Sequence, residues 1–149
     1  MCIRVRRFPE FGVAMAIYGG ALTPAILLRF VDDLGDADAD VGGWVNYLDP
    51  TLDLSGMDVA HIPVLRRALA AKLKALYGEG HIKTALVTAS QVNELVLSFW
   101  PSYVGHDVEY PHEPTAFASL DAACDWLRLP ETAHRALAEA AAGPASARA

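Results

Sequence analysis

Cysteine is nearly missing from this chain: there are two, Cys2 and Cys124, at opposite ends of 149 residues. Nothing else suggests a secreted disulfide framework, so both read as reduced thiols of a cytosolic protein. Cys124 falls among apolar helix positions, where cysteine behaves as a small hydrophobe. No Cys-x-x-Cys occurs, and His61, His81, His106, His112 and His134 form no H-x-x-x-H or H-E-x-x-H pair. Zinc therefore has no ligand spacing to use. Gly19-Gly20 and Gly42-Gly43 lack the spacing and the lysine of a phosphate loop, and no G-x-S-x-G turn is present. Basic charge is scarce as well. Twelve Lys and Arg face 18 Asp and Glu, a net charge of −6, which speaks against a nucleic-acid or anionic-membrane partner. Arg4, Arg6 and Arg7 are a local exception, and strand alternation would split them between two faces.

A long unbroken apolar run is absent too. The uncharged stretch from Gly12 to Leu28 follows three arginines and resembles a leader, but Val13, Met15 and Ile17 keep a period of two. Gly19, Gly20 and Pro24 then interrupt it, and it is too short and broken to span a membrane. The expectation is a cytoplasmic chain without leader or membrane span. Its length is that of one ordinary domain, able to bury roughly 70% of the surface its unfolded chain exposes.

What is present alternates in period. Cys2–Arg7 and Val13–Tyr18 read as a hairpin across a Pro/Gly turn. Thr23 and Pro24 open a helix as N-cap and first helical position, with Leu27, Phe30, Val31 and Leu34 on one stripe. Trp44–Leu48 reads as a buried strand closed by Asp49-Pro50. A loop, Thr51–Met57, leads to a long helix with Asp58 as N-cap and Ile62, Leu65, Leu69, Leu73 and Leu76 on one face. Pro63 argues for a kink or a start nearer Ile62, and Gly78 ends the helix. Ile82–Val87 is a further buried strand. Thr88 or Ser90 caps the helix after it, which carries Val92, Leu95, Val96, Phe99, Trp100 and Tyr103. Asp107–Tyr110 reads as a short strand. Ser119 caps a helix with Leu120, Ala123, Cys124 and Leu127, and an alanine-rich helix follows from about Pro130 to Ala142. The order is β-β-α-β-α-β-α-β-α-α. It predicts an α/β fold, a mixed sheet with an N-terminal antiparallel hairpin and then parallel strands with crossover helices. One domain is expected over residues 1–143, with a flexible tail at 144–149.

Three segments carry a family resemblance. Gly20-Ala21-Leu22-Thr23 stands before the first helix, Ala85-Leu86-Val87-Thr88-Ala89-Ser90 leads into another, and Ser119 to Leu127 closes the pattern around Trp126-Leu127. In this order, with the central strand Trp44 to Asp49, they resemble the SpoIIAA-like (STAS-like) family, related in shape to STAS and CRAL-TRIO domains. The resemblance covers roughly Ile3 to Leu129. It implies a regulatory or protein-interaction module. STAS anti-anti-sigma factors carry a phosphorylated serine at a helix start after a strand-end aspartate. Here Asp53-Leu54-Ser55-Gly56 is similar to the strand-end sequence, but that register places the acceptor among Ala60, His61, Ile62 and Pro63, where no hydroxyl exists. Aligned on Trp44 to Asp49 instead, Thr51 and Ser55 are the nearby hydroxyls. The phospho-switch is not supported in either register.

Asp32, Asp33, Asp36, Asp38 and Asp40 form the most tempting metal cluster, and Asp36-x-Asp38-x-Asp40 mimics the start of a calcium loop. Val41 stands where that loop needs glycine and Tyr47 where it needs glutamate, so the segment reads as a solvated acidic loop. No metal and no cofactor are expected. His106 beside Asp107, and His112 beside Glu113, read as surface loop residues. The candidate ligand or partner site is Asp49, Ser55, Asp58 and His61 in the loop after the central strand, with Trp100 and Tyr103 on the aromatic helix. Loops at the carboxyl ends of parallel strands are where open α/β sheets place their sites. Three functions stand side by side. The first is a non-enzymatic module acting through a protein partner or as a homodimer. The second is a small carrier of an apolar ligand, and the third a hydrolase-like enzyme built on Asp49, Ser55, Asp58 and His61. The aromatic stripe of Phe99, Trp100 and Tyr103 fits core packing, a ligand pocket or a dimer face.

Overall fold

Alternation along the first strands decides which way each side chain points. In β1 (Ile3–Phe8) Ile3 and Val5 join one apolar cluster and Phe8 the other, while β2 (Val13–Tyr18) is buried on both faces. The two pair antiparallel, from Ile3 opposite Tyr18 to Phe8 opposite Val13. Between them a single 3-10 turn, Pro9–Phe11, ends at Gly12, whose φ of 69° is left-handed and suits a residue without a Cβ. In this computed structural model residues 3–35, 38–78, 82–88 and 112–148 are described.

Three more strands run parallel to β2. They are β3 (Gly43–Leu48), β4 (Ile82–Thr88) and β5 (His112–Phe117), giving one sheet in the order β1-β2-β3-β4-β5. Tyr18, Leu48 and Thr88 lie side by side at its carboxyl edge. The mixed sheet expected from the sequence is the sheet observed. Helices α1 (Pro24–Asp33) and α2 (Ile62–Tyr77) pack beside each other on one face, over Ala14, Ala16, Trp44, Leu48 and Leu86. Helices α3 (Leu120–Trp126) and α4 (Glu131–Arg148) cover the other, where Ala123, Cys124, Ala133 and Leu137 meet Met15, Val45 and Val87. Caps form where expected. Thr23 Oγ1 accepts from the Ile26 N–H at 3.3 Å, and Ser119 Oγ from the Ala122 N–H at 3.1 Å.

Several boundaries differ from the sequence reading. The helix expected through Trp100 and Tyr103 and the strand expected at Asp107–Tyr110 lie outside the described residues. The fifth strand that is described begins at His112, in a segment read as surface loop. Among the described residues it lies at the sheet's edge, and it contains Pro114, which has no N–H to donate and suits an edge position. Thr88, read as a helix cap, is the buried last residue of β4. Helix α4 continues to Arg148, past the Gly143-Pro144 pair expected to end it; alanines, the residues of highest helix propensity, flank the pair on both sides.

The largest correction concerns Asp38, which is fully buried and not a solvated loop residue. Its Oδ1 accepts from Arg7 Nε at 2.7 Å and its Oδ2 from the Gly35 N–H at 3.0 Å. Its main-chain carbonyl accepts the Tyr77 hydroxyl at 2.6 Å, and the Tyr77 oxygen accepts the Trp44 indole N–H at 3.0 Å. The hydrogen bond to Asp38 pushes the Arg7 guanidinium above its usual range, and burial pushes the Tyr77 hydroxyl up. Lys72 of α2 adds a second tie, donating to the carbonyls of Asp32 and Leu34 at 3.1 Å each and so capping the end of α1. Asp38→Ala, which leaves the Gly35 N–H and the Arg7 guanidinium without their partner, is expected to cost about 2 kcal/mol. Asp40→Ala, at an exposed site two residues on, should stay within about 0.5 kcal/mol. Urea midpoints of the two variants read the contrast.

Candidate functional site

The sheet presents its carboxyl edge at the ends of β2 and β3, and the chain leaves both strands there into loops that brace each other. The Asp49 N–H donates to the Tyr18 carbonyl at 2.9 Å, extending the β2–β3 pairing by one step. The Asp53 N–H donates to the Gly20 carbonyl at 2.8 Å, and the Leu22 N–H to the Asp53 carbonyl at 3.0 Å, so Ala21 and Asp53 form an isolated parallel bridge. Gly56 passes so close beneath this loop that a Cβ there would sit 3.2 Å from the Leu22 carbonyl oxygen. Leu22 and Leu52 are buried below, and Leu54 and Met57 pack on the same core. The apolar residues of the loop thus anchor it, and its polar residues face outward.

Each polar side chain is engaged within its own turn. Asp49 Oδ2 accepts the Thr51 N–H at 3.0 Å and the Thr51 hydroxyl. Asp53 Oδ1 accepts the Ser55 N–H at 2.9 Å. Asp58 Oδ1 accepts the Ala60 N–H at 3.0 Å, while the Asp58 N–H donates to His61 Nδ1 at 3.2 Å. The His61 N–H donates to the Asp58 carbonyl at 2.9 Å and closes the 3-10 turn Val59–His61, and the two side-chain bonds add to it in the manner of a capping box. Asp58 therefore caps this turn, and α2 proper starts at Ile62 with Pro63 in its first turn, the later of the two starts the proline allowed. Ser55, Asp58 and His61 are exposed and Asp49 is half-buried. The Ser55 N–H first, and the Ser55 hydroxyl second, hold the Asp53 carboxyl below the usual carboxylate range.

The structure brings Asp49, Ser55, Asp58 and His61 onto one loop but does not converge them. Among the described residues no hydrogen bond joins Ser55 to His61 or to Asp49, so no nucleophile is paired with a base there. Trp100 and Tyr103 lie outside the described residues. No group of three or more His, Cys, Asp or Glu side chains among the described residues is placed to hold a metal ion. No helix among them is long and apolar enough to cross a membrane.

Sequence reasoning passed over two features. The brace from Gly20 to Leu22 was visible only as a motif before α1, because a bridge between two loops has no periodicity. His134 lies on the other face of the sheet, its Nδ1 3.2 Å from Asp121 and its Nε2 3.5 Å from Asp125, where α3 meets α4. The i, i+4 spacing of the two aspartates was the available signal. Between them Cys124 is buried, and that burial, with both carboxylates adding, pushes its thiol up to about 11.

With this geometry in hand, the chain can be set beside known proteins. It is similar in fold to SpoIIAA. That solved structure is described as the anti-sigma factor antagonist in its unphosphorylated form, at 16% identity and a TM-score of 0.45, with 85% of this chain and 98% of that chain covered. No protein-family model matches the chain, and no curated protein matches it.

The Asp53 turn makes a checkable statement about pH. A carboxyl whose folded value is depressed stabilises the fold above its unfolded value, near 3.9, and loses that contribution as pH falls through the folded value. Carboxyl carbon NMR titration should therefore find Asp53 below the unfolded range. Ser55→Ala, which removes the hydroxyl and keeps the N–H, should move it only part of the way back up.

Proposed function

We propose that this protein is a non-enzymatic, STAS-like regulatory or interaction module of the cytoplasm, and that the loop from Asp49 to His61 is its docking surface for a protein partner or a second copy of itself. One observation carries the reading. The loop is exposed on its polar side, yet its three polar turns are each closed by local hydrogen bonds and its backbone is bridged to the neighbouring loop. A surface already held in one shape loses little conformational entropy when a partner covers it, which favours recognition. Chemistry asks for the opposite, namely side chains that converge on one reacting atom with lone pairs to spare. The hydrolase-like reading needs Ser55, His61 and Asp49 to act together, and their hydrogen bonds run to separate backbone groups instead.

Native mass spectrometry of untagged protein from its own cells tests the proposal. The expected spectrum shows a complex with another protein or a homodimer. Ser55→Arg, a bulky change on the exposed side of the loop, should weaken that complex about tenfold, a loss of roughly 1.4 kcal/mol. A complex indifferent to Ser55→Arg would overturn the assignment of the surface. A small-molecule mass lost on denaturation, with no protein complex, would overturn the interaction reading in favour of a carrier.

A further inference from the structure

The junction between the loop and α2 contains a histidine in a role usually filled by glutamate or glutamine. In a capping box the side chain three residues after the cap accepts a hydrogen bond from the backbone N–H of the cap residue, and here that acceptor is His61 Nδ1, 3.2 Å from the Asp58 nitrogen. The direction of the bond is fixed, because a main-chain N–H can only donate. Nδ1 must then present a lone pair, so the ring is neutral with its hydrogen on Nε2. A glutamine acceptor would be indifferent to mild acid. An imidazole that takes up a proton has N–H on both nitrogens and no lone pair, and its Nδ1–H would then face the Asp58 N–H.

We propose that His61 makes the docking loop proton-sensitive: the ring caps the Asp58 N–H while neutral and releases it on gaining a proton from solvent, whereas the bond from the His61 N–H to the Asp58 carbonyl at 2.9 Å does not involve the ring. This rests on the reading of the loop as the docking surface. The loop carries the carboxylates of Asp49, Asp53 and Asp58, and the described charged side chain nearest the start of α2 is Arg67. Asp58 belongs to the same turn, with its Oδ1 already engaged by the Ala60 N–H, and Arg67 of α2 has its Nε donating to the Pro63 carbonyl at 3.2 Å. The brace between Asp53 and Gly20–Leu22 involves only main-chain groups, so it holds when the Asp58 N–H is released. Mild acid therefore changes the end of the loop that leads into α2 and leaves the end at β3 in place.

Nitrogen-resolved NMR of the whole chain, followed from about pH 8 to pH 5, tests the cap without any partner. At the upper end His61 should carry its hydrogen on Nε2. As the ring takes up a proton, the Asp58 amide signal should shift in step with it and lose about fivefold in exchange protection, the equivalent of one lost cap of about 1 kcal/mol. His61→Gln, which keeps an acceptor at that position, should hold the Asp58 amide at its upper-pH position throughout. A hydrogen on Nδ1 at pH 8, an Asp58 amide that ignores the ring, or an unchanged amide titration in His61→Gln would each overturn the proposal and leave the docking assignment untouched. The complex seen by native mass spectrometry should then weaken severalfold with acid in the wild type and not in His61→Gln. An equal loss in both would overturn the link between the cap and docking.

Discussion

The carboxylate of Asp38, buried where the loop after α1 returns to the sheet, ties together elements that the chain keeps far apart. Arg7 reaches it from β1, and through its main-chain carbonyl it holds Tyr77 at the end of α2, which in turn holds the Trp44 indole on β3. Burying a carboxylate is costly unless it is paired and hydrogen-bonded, and here both oxygens are engaged. The result is a constraint more than a source of net stability. The edge strand, the central strand and α2 cannot shift separately without leaving a charge or an indole N–H stranded in the core. With α2 fixed at its far end in this way, the start of α2 and the loop before it are positioned at the opposite, carboxyl edge of the sheet.

The two ends of the sheet thus use polar groups in opposite ways. At the amino edge of the parallel strands they are buried and reach across long sequence separations. At the carboxyl edge they are exposed and reach only two or three residues, from Asp49 to Thr51, from Asp53 to Ser55 and from Asp58 to Ala60 and His61. Local turns of this kind form from the segment's own sequence, since Asp and Ser side chains readily bond the backbone two residues on. What the tertiary structure adds is the pair of main-chain bonds from Asp53 to Gly20 and Leu22. These convert three separate turns into one surface.

Polar core residues sharpen the same contrast on the face under α1 and α2. Tyr18 is buried, its hydroxyl donating to Asn46 Oδ1 at 2.9 Å, and burial pushes that hydroxyl well above the ordinary tyrosine range. Phe30 stands edge-on to both Tyr18 and Trp44, with ring centroids 6.1 and 6.5 Å away. An aromatic cluster seated on hydrogen-bonded hydroxyl and indole groups packs in one arrangement, because any slip breaks a hydrogen bond as well as an apolar contact. The other face, where Met15, Val45, Val87, Cys124 and Leu137 pack together, shows no such polar register among the described residues.

The sequence by itself determined the elements whose signal is local. The period-two run of β2, the Thr23 and Ser119 caps, the apolar stripe of α2 and the turn chemistry of Asp53-x-Ser55 could each be read from a few neighbouring residues, and alternation of strand and helix then settled the mixed sheet. Only the tertiary structure decided which aspartate of the Asp32–Asp40 run goes inside, because that depends on Arg7 and Tyr77 arriving from elsewhere in the chain. It alone made His112–Phe117 a strand, since a strand containing proline owes its form to the neighbour it pairs with and shows little pattern of its own. It also decided that Asp49, Ser55, Asp58 and His61 share a loop without sharing a reaction centre. Residue type and spacing state what a side chain can bond, but the partner it does bond is chosen by where the backbone passes, and that is a property of the whole fold.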